Sequence, residues 1–294
     1  MLRGNLLVCV SVLVLLSSIG FAADPFPPAA LPGVYIGDGL LSGYEPSGAV
    51  WHTGLGKLFT VDDNGMMSRM NADGTMVQNW SLSVDLEGVC VADPGSDFVY
   101  VGVEHPDSIM EFDLTTGLVT RAFDLTTWMA STDDNDGLEA LTFVPDTGDP
   151  EGGLFYAGLQ DDGKIYSFRL PIASSLSSTT VIPISTITPV TGRTDLSGLH
   201  YDVDNEVLYA IYDSDNKLRA MEADGTFLIE WELPGVTQEG IAMMGDHLYI
   251  AEDFGQVVDY SPFTAVPEPA TLILLAGGLP LLMKRRQKPR GAVR

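Results

Sequence analysis

Three glutamates occupy the same place in a repeated pattern, each just before a small residue and a short apolar strand. Carboxylates that meet from separate copies of a repeat repel one another, so some must stay protonated or a cation must lie among them. The pattern has five copies, and two of them carry serine in place of glutamate. In chain order the copies open with Ser47-Gly48, Glu87-Gly88, Glu139-Ala140, Ser197-Gly198 and Glu239-Gly240.

Each opening step is followed by the same series of strand and turn signals. A short apolar strand comes first, then a turn rich in Gly, Asn, Asp or Pro, which supply the backbone angles of a hairpin. A second strand follows, and it contains an aromatic residue, a type that is enriched in β-strands. The later strands also recur, because Met-Asn-Ala-Asp-Gly-Thr at 70–75 matches Met-Glu-Ala-Asp-Gly-Thr at 221–226. The aromatic residues of the second strands are Phe59, Tyr100, Phe155, Tyr209 and Tyr249.

A unit of short strands that recurs every ~40–50 residues predicts a β-propeller. Residues 24–265 divide into five units of about 48 residues, which suits four-stranded blades. The last unit shows only three strands, and residues 33–36 form a strand without a blade of its own. We therefore predict an all-β fold of five blades, closed by this N-terminal strand. Six blades are the alternative, and an irregular β-sandwich would not need equal units.

The propeller places the repeated glutamates at one end of a central channel. The first strand of each blade lines the channel, so the opening residues lie at its mouth, and the second strands end on the same face. Calcium is the expected ion, because it accepts six to eight oxygen ligands in flexible geometry. The alternative is a structural role, in which each glutamate forms hydrogen bonds with the backbone of a neighbouring blade and helps to close the ring. The candidate metal ligands are Glu87, Glu139, Glu239, Asp63, Glu104, Asp213 and Asp253.

Other chemistries find little support in the sequence. No Gly-x-Ser-x-Gly elbow, glycine-rich phosphate loop or dinucleotide fingerprint is present. The four histidines are spread over four copies and lack the spacing of zinc ligands. The formal net charge of −25 excludes nucleic acid as an expected partner and favours cations. Cys90 is the only cysteine outside the first 22 residues, so no disulfide is expected within the propeller.

The two chain ends predict export. Residues 1–22 read as a signal peptide, with Arg3 as the only charge, an apolar run and small residues at the expected cleavage position. A membrane anchor is the alternative, although the apolar run is shorter than the ~20 residues of a spanning helix. At the other end, an apolar segment at 270–283 is followed by a basic run at 284–290. The basic run would stay cytoplasmic, and the short apolar segment suits a transient transmembrane helix.

The C-terminal tail resembles the PEP-CTERM sorting signal of Gram-negative bacteria that make exopolysaccharide. The resemblance covers residues 266–294 and implies recognition by an exosortase-type processing enzyme near the tripeptide. It further implies export across the inner membrane and a final place at the cell surface or in the extracellular matrix. A permanent tail anchor is the alternative. The tripeptide consists of Pro267, Glu268 and Pro269.

The propeller itself, taken as residues 23–265, resembles the SdiA-regulated family of bacterial propellers. The resemblance is clearest over 195–260, where Asp-Leu-Ser-Gly-Leu-His-Tyr-Asp at 195–202 and Gln-Glu-Gly-Ile-Ala at 238–242 carry it. Phytase-like and esterase-like propellers share shorter pieces. The family implies a cation, expected to be Ca²⁺, near the channel mouth. The matching positions are Glu87, Glu139 and Glu239, whereas Ser47, Ser197 and Leu159 depart from the pattern.

Three functions are compatible with these observations. The first is an exported, surface-sorted binding module whose partners are extracellular polysaccharide or surface proteins. The second is a calcium-dependent hydrolase of phosphoesters or lactones, in which the cation polarises the substrate. The third is a structural coat or scaffold protein. The fold alone does not choose among them, so the sequence leaves open whether the protein is an enzyme.

Overall fold

The computed structural model describes residues 23–131 and 136–264. The predicted signal peptide and the predicted sorting signal, with Pro267, Glu268 and Pro269, lie outside the described residues. Within the described part of the chain, no helix is long and apolar enough to cross a membrane. Helical structure there is limited to two short 3₁₀ turns, Pro28–Ala30 and Gly37–Gly39.

The strands form five four-stranded antiparallel sheets in a ring, which confirms the predicted five-bladed propeller and excludes the six-bladed alternative. The inner strand of each blade packs beside the inner strands of both neighbouring blades. In chain order the strands are β1 (Val34–Tyr35), β2 (Pro46–His52), β3 (Lys57–Asp62), β4 (Met66–Met70), β5 (Gln78–Ser81), β6 (Leu86–Cys90), β7 (Phe98–Val103), β8 (Ser108–Asp113), β9 (Leu118–Asp124), β10 (Leu138–Pro145), β11 (Gly153–Leu159), β12 (Lys164–Arg169), β13 (Ile182–Ile187), β14 (Leu196–Asp202), β15 (Val207–Tyr212), β16 (Lys217–Met221), β17 (Phe227–Glu232), β18 (Gln238–Met244), β19 (His247–Glu252) and β20 (Gln256–Tyr260).

The ring is closed by the N-terminal strand, as the sequence predicted. Strand β1 pairs antiparallel with β20 and completes the sheet of β18, β19 and β20. Val34 lies opposite Asp259, Tyr35 lies opposite Val258, and the Ile36 N–H donates to the Val257 carbonyl at 2.8 Å. The two ends of the propeller thereby share one blade, and β20 has a partner on both sides.

The buried apolar side chains form five clusters, each lying between two adjacent blades. One cluster packs Tyr209 and Trp231 of blade four against Ile250 of blade five. Another closes the ring by packing Leu58 of blade one against Tyr249 of blade five. Because these clusters surround the axis, the burial of apolar side chains holds the blades together around the whole ring.

The matched hairpins of blades one and four have the same hydrogen bonds. In blade one, Asp73 Oδ1 accepts the Thr75 N–H at 3.1 Å. In blade four, Asp224 Oδ1 accepts the Thr226 N–H at 2.9 Å. The repeated Ala-Asp-Gly-Thr therefore forms an Asx-type turn in both blades, and the sequence repeat reflects a repeat of structure.

At the mouth of the channel the inner strands approach one another so closely that only very small residues fit. A Cβ added at Gly88 would lie 2.5 Å from the backbone nitrogen of Leu141 in the next blade. A Cβ at Gly240 would lie 2.7 Å from the backbone nitrogen of Ala49 in blade one, across the closure. We call this set of small residues the collar: Gly48, Gly88, Ala140, Gly198 and Gly240.

We expect Gly88→Ala to destabilise the protein by about 1–3 kcal/mol, because the added methyl group forces two inner strands apart. The matched control is Gly148→Ala, where the added Cβ meets only the side chain of Asp146. Its effect should stay within about 0.5 kcal/mol. Urea unfolding midpoints of the two variants and the wild type test this, and equal stability of Gly88→Ala and wild type would contradict the collar.

Candidate metal centre at the channel mouth

A β-bulge sets the direction of the mouth side chains in every blade. The register of each inner strand against its neighbour shifts at the opening residue of the repeat, between Leu86 and Val89 in blade two and between Gln238 and Gly240 in blade five. The same shift occurs in the other three inner strands. A bulge bends the strand and turns one side chain away from the regular alternation. The repeated glutamates and serines occupy these bulges, which explains why they share one place in the ring.

The bulge residues contribute to an acidic cavity of about 270 Å³ on the axis, which we call the mouth cavity. It contains six of the seven predicted ligands, and Asp213 is the one that does not line it. No lysine, arginine, histidine or cysteine of the described chain lines this cavity. The lining residues are Ser47, Asp63, Asp85, Glu87, Glu104, Glu139, Gln160, Glu239 and Asp253.

The carboxylates form two groups at different depths. In the deep group, one carboxylate oxygen each from Asp85, Glu87 and Glu104 lies within 4.8 Å of the other two. In the rim group, Glu45, Asp63 and Asp253 meet the same distance limit and are more exposed. Oxygen atoms at this spacing can share one cation, and an all-oxygen donor set suits Ca²⁺ better than Zn²⁺.

Some of the predicted ligands also connect neighbouring blades. Glu104 Oε1 accepts the Gly137 N–H of the approach to blade three at 3.2 Å. Asp213 Oδ1 accepts the N–H of Gln238, the first residue of β18, at 2.8 Å. These two side chains therefore make the blade-to-blade bonds that the alternative interpretation assigned to the three repeated glutamates.

Two glutamates of the ring are buried, and no backbone N–H group of the described residues donates to their side chains. Glu87 is 7% exposed and Glu139 is 8% exposed. The two side chains lie within hydrogen-bond reach of each other, and two carboxyl groups can share a hydrogen bond only when one holds a proton. Burial, followed by the neighbouring carboxylates, raises the pKa of both glutamates well above the usual range.

The same causes act on the other glutamates of the mouth cavity. Burial raises the pKa of Glu239 from 4.5 to about 8, and the charges of Asp213 and Asp253 contribute in the same direction. Burial also raises the pKa of Glu104 from 4.5 to about 7, against the opposing effect of the Gly137 N–H. Without a cation, several of these carboxyl groups therefore hold protons at neutral pH.

The sequence interpretation missed a second set of acidic residues. Asp85 lies in the deep group, and its Oδ1 is buried and accepts no hydrogen bond from the described residues. Glu45 lies in the rim group, and Asp195 lies near Glu239. All three occupy the position two residues before the bulge residue of their copy. The same repeat alignment could therefore have found them.

The structure offers no nucleophile–base pair at Ser197 and His200. The Ser197 hydroxyl donates to the Gln238 carbonyl at 2.7 Å, which joins blade four to blade five. His200 lies further along β14, beyond the collar, in a separate cavity.

Two family models match separate parts of the chain. A phytase-like model, described as esterase-like activity of phytase, matches residues 51–164. The SdiA-regulated model matches residues 175–257, which confirms the resemblance of the later blades. Each match covers less than half of the chain, and no curated protein matches it in sequence.

Solved structures share the architecture at low sequence identity. The crystal structure of Myxococcus xanthus glutaminyl cyclase is 12% identical, with a TM-score of 0.53, over 74% of this chain and 90% of that chain. The Cps50 (Swd1) β-propeller domain of Myceliophteria thermophila is also 12% identical, with a TM-score of 0.45, over 74% and 83% of the two chains. At this identity the first structure supports the propeller fold and no particular activity.

We expect the metal-free protein to lose stability as the pH rises from 5 to 8. A carboxyl group whose pKa is higher in the folded protein than in the unfolded chain stabilises the fold while protonated, and this contribution is lost as the pH rises through the folded pKa. For Glu239 this interval runs from 4.5 to about 8. Thermal melting in the presence of a chelator, at several pH values, measures the effect.

The variant Glu239→Gln should flatten this pH dependence, because the amide cannot ionise. At pH 8 with chelator it should be more stable than the wild type by about 1–2 kcal/mol, which corresponds to roughly 2–8 °C in melting temperature. Glu222→Gln, at an exposed position in a hairpin turn, is the matched control and should follow the wild type. A wild-type melting temperature that stays constant over this range would contradict the buried-carboxylate interpretation.

Proposed function

We propose that the protein is a calcium-binding β-propeller that acts as an exported binding module. The observation that carries this proposal is the mouth cavity, where carboxylates from several blades converge on the axis and no basic side chain of the described chain lines the wall. A cation would neutralise these charges at the point where the fold brings them closest. The deep group of Asp85, Glu87 and Glu104 is the proposed primary site.

The donor atoms of the deep group fit calcium. They are all carboxylate oxygens, and the buried Oδ1 of Asp85 accepts no hydrogen bond from the described residues. Calcium takes six to eight oxygens at 2.3–2.6 Å in flexible geometry, whereas magnesium needs a near-ideal octahedron. A bound calcium would lower the pKa values of the surrounding glutamates and so replace the protons that they otherwise hold.

The distribution of basic side chains favours binding over phosphoester hydrolysis. Sites that recognise phosphate commonly use Arg or Lys. Here Arg121 pairs with Glu111, Arg169 pairs with Asp149, and Lys164 pairs with Asp162, and none of these three basic side chains lines the mouth cavity. A calcium ion that still has open coordination positions would instead attract hydroxyl or carboxylate oxygens. Acidic or hydroxyl-rich polysaccharide supplies both kinds of oxygen, so it is the proposed ligand class.

The proposed place of action is outside the cell. The support comes from the predicted signal peptide and from the PEP-CTERM-like tail with Pro267, Glu268 and Pro269. An exosortase-type enzyme would process the tail, and membrane association through it would be transient. Calcium is also far more available outside the cell than in the cytoplasm, where sites must bind much more tightly to be filled.

Calcium-dependent hydrolysis is the second candidate function. It is favoured by the phytase-like match over residues 51–164, which includes Glu87, Glu104 and Glu139 of the mouth cavity. In that case the ion would polarise an ester or lactone carbonyl, or a phosphoryl oxygen, and the cavity would exclude bulk water.

Calcium should bind stoichiometrically and stabilise the protein. At a free concentration 100 times the dissociation constant, binding adds about 2.7 kcal/mol, which corresponds to a rise of roughly 5–11 °C in melting temperature. At neutral pH, binding should release protons, because Glu104 and Glu239 have pKa values of about 7 and 8. Calorimetric titrations in two buffers with different ionisation enthalpies measure both the stoichiometry and the proton release.

The double variant Glu87→Gln/Glu239→Gln should lose this binding. The matched control is Glu206→Gln/Glu222→Gln, which removes the same two charges from exposed turns. A calcium affinity that is unchanged in the mouth variant, or equally reduced in the control, would contradict a site at the mouth.

Calcium-loaded protein should leave p-nitrophenyl phosphate, p-nitrophenyl acetate and a simple γ-lactone unhydrolysed above the buffer rate, because no lysine, arginine or histidine of the described chain lines the mouth cavity and the Ser47 hydroxyl donates to Asp63 instead of to a histidine base. Steady-state assays with and without chelator test this. Turnover that disappears both with chelator and in Glu87→Gln would favour the second candidate function over the first.

A further inference from the structure

Beyond the collar, the channel widens into a second cavity of about 390 Å³, which we call the far cavity. Only about 10 Å³ of free space lies within the collar itself, about the room of one water molecule. The mouth cavity and the far cavity are therefore separate compartments on one axis. All five inner strands contribute to the far cavity, with Val50, Cys90, Thr142, His200 and Met243 in successive blades.

The wall of the far cavity differs in character from the mouth. Large apolar side chains form most of it, among them Trp51, Phe143 and Met244. The ring of Trp51 stacks on Tyr249 with 6.4 Å between centroids, which fixes a flat aromatic wall. The rim includes Val203, which is 60% exposed, so the cavity opens to solvent at the far face. Its volume lies within the ~300–1,000 Å³ of small-molecule pockets.

The main polar group in this apolar wall is the side chain of His200. No described residue forms a hydrogen bond with the ring of His200, which is surrounded by protein and faces the far cavity. Burial lowers its pKa from 6.5 to about 4, so the ring is neutral at physiological pH. A neutral imidazole offers one donor and one acceptor.

Some of the other polar groups of the wall are already engaged in hydrogen bonds. Thr142 Oγ1 accepts the Tyr201 N–H at 3.0 Å. At the rim, Asp202 Oδ1 accepts the N–H groups of Asp204 and Asn205 at 3.0 and 3.2 Å. No lysine or arginine of the described chain lines the cavity. The chemistry of the wall therefore favours an uncharged ligand over an anion or a sugar.

We propose that the far cavity is a second binding site, which takes a neutral compound with one or two aromatic groups that forms one hydrogen bond with His200. Flat apolar walls accommodate the rings, and the imidazole accepts from a ligand N–H or O–H group. Because the collar separates the two cavities, this site does not depend on calcium or on the function proposed for the mouth.

The test uses N-phenyl-1-naphthylamine, an uncharged fluorophore in which one N–H donor joins two aromatic groups, a naphthyl and a phenyl group. Its fluorescence should rise with saturable 1:1 binding to the purified protein. His200→Phe keeps the ring volume and should weaken binding about threefold to tenfold, the effect of one hydrogen bond. His200→Trp removes the same hydrogen bond and also narrows the cavity, so it should weaken binding more than His200→Phe does. Met244→Trp narrows the cavity from another blade and should also weaken binding. Melting temperature and circular dichroism verify that each variant folds.

Two controls separate the cavity from surface adsorption and from the mouth. Phe254→Ser removes an apolar side chain that is 71% exposed and should leave probe binding unchanged. Saturating calcium should also leave it unchanged, and His200→Trp should bind calcium like the wild type. The proposal is overturned if no saturable binding occurs, or if folded His200→Trp and Met244→Trp bind the probe as well as the wild type.

Discussion

The close approach of five inner strands at the collar is the constraint on which the rest of the structure depends. The strands come within van der Waals contact there, so the collar admits only glycine and alanine, and each strand makes a bulge one residue earlier. The bulge residue is thereby turned toward the mouth in every blade. Once that residue is glutamate in three blades, the backbone geometry alone places three carboxylates around one axis.

The repulsion that follows cannot be relieved by moving the blades apart. The five apolar clusters lie between adjacent blades and hold them at fixed spacing, and β1 ties the last blade to the chain start. No disulfide contributes within the described chain, where Cys90 is a free, buried thiol. The charges on the axis must therefore be compensated locally, by a proton or by a cation. The raised pKa values of Glu104 and Glu239 reflect the free-energy cost of placing uncompensated negative charges on the axis.

Much of this arrangement could be predicted because it repeats. The alignment of five copies identified the blade number, the closing strand and the shared place of Glu87, Glu139 and Glu239. It missed Asp85 and its counterparts, because they lie in the loop two residues before the bulge residue, outside the repeated strand pattern. The division into a deep and a rim group depends on how deeply each side chain is buried in the mouth, and an alignment of the repeats carries no information on this depth. The far cavity was also beyond prediction, since its width depends on how the inner strands diverge after the collar.

Blade closure and the proposed metal binding, which the sequence presented as alternatives, involve the same acidic cluster. One oxygen of Asp213 accepts a hydrogen bond from the Gln238 N–H, and one oxygen of Glu104 accepts a hydrogen bond from the Gly137 N–H. Both side chains therefore connect neighbouring blades. A carboxylate has two oxygens, however, and one carboxylate oxygen of Glu104 lies within 4.8 Å of carboxylate oxygens of Asp85 and Glu87 in the deep group. Its blade-to-blade bond fixes the direction of the side chain before any ion arrives. Such preorganisation favours binding, because little side-chain freedom remains to be lost when the ion is coordinated. Closure of the ring therefore positions the proposed site, and the two interpretations reinforce each other.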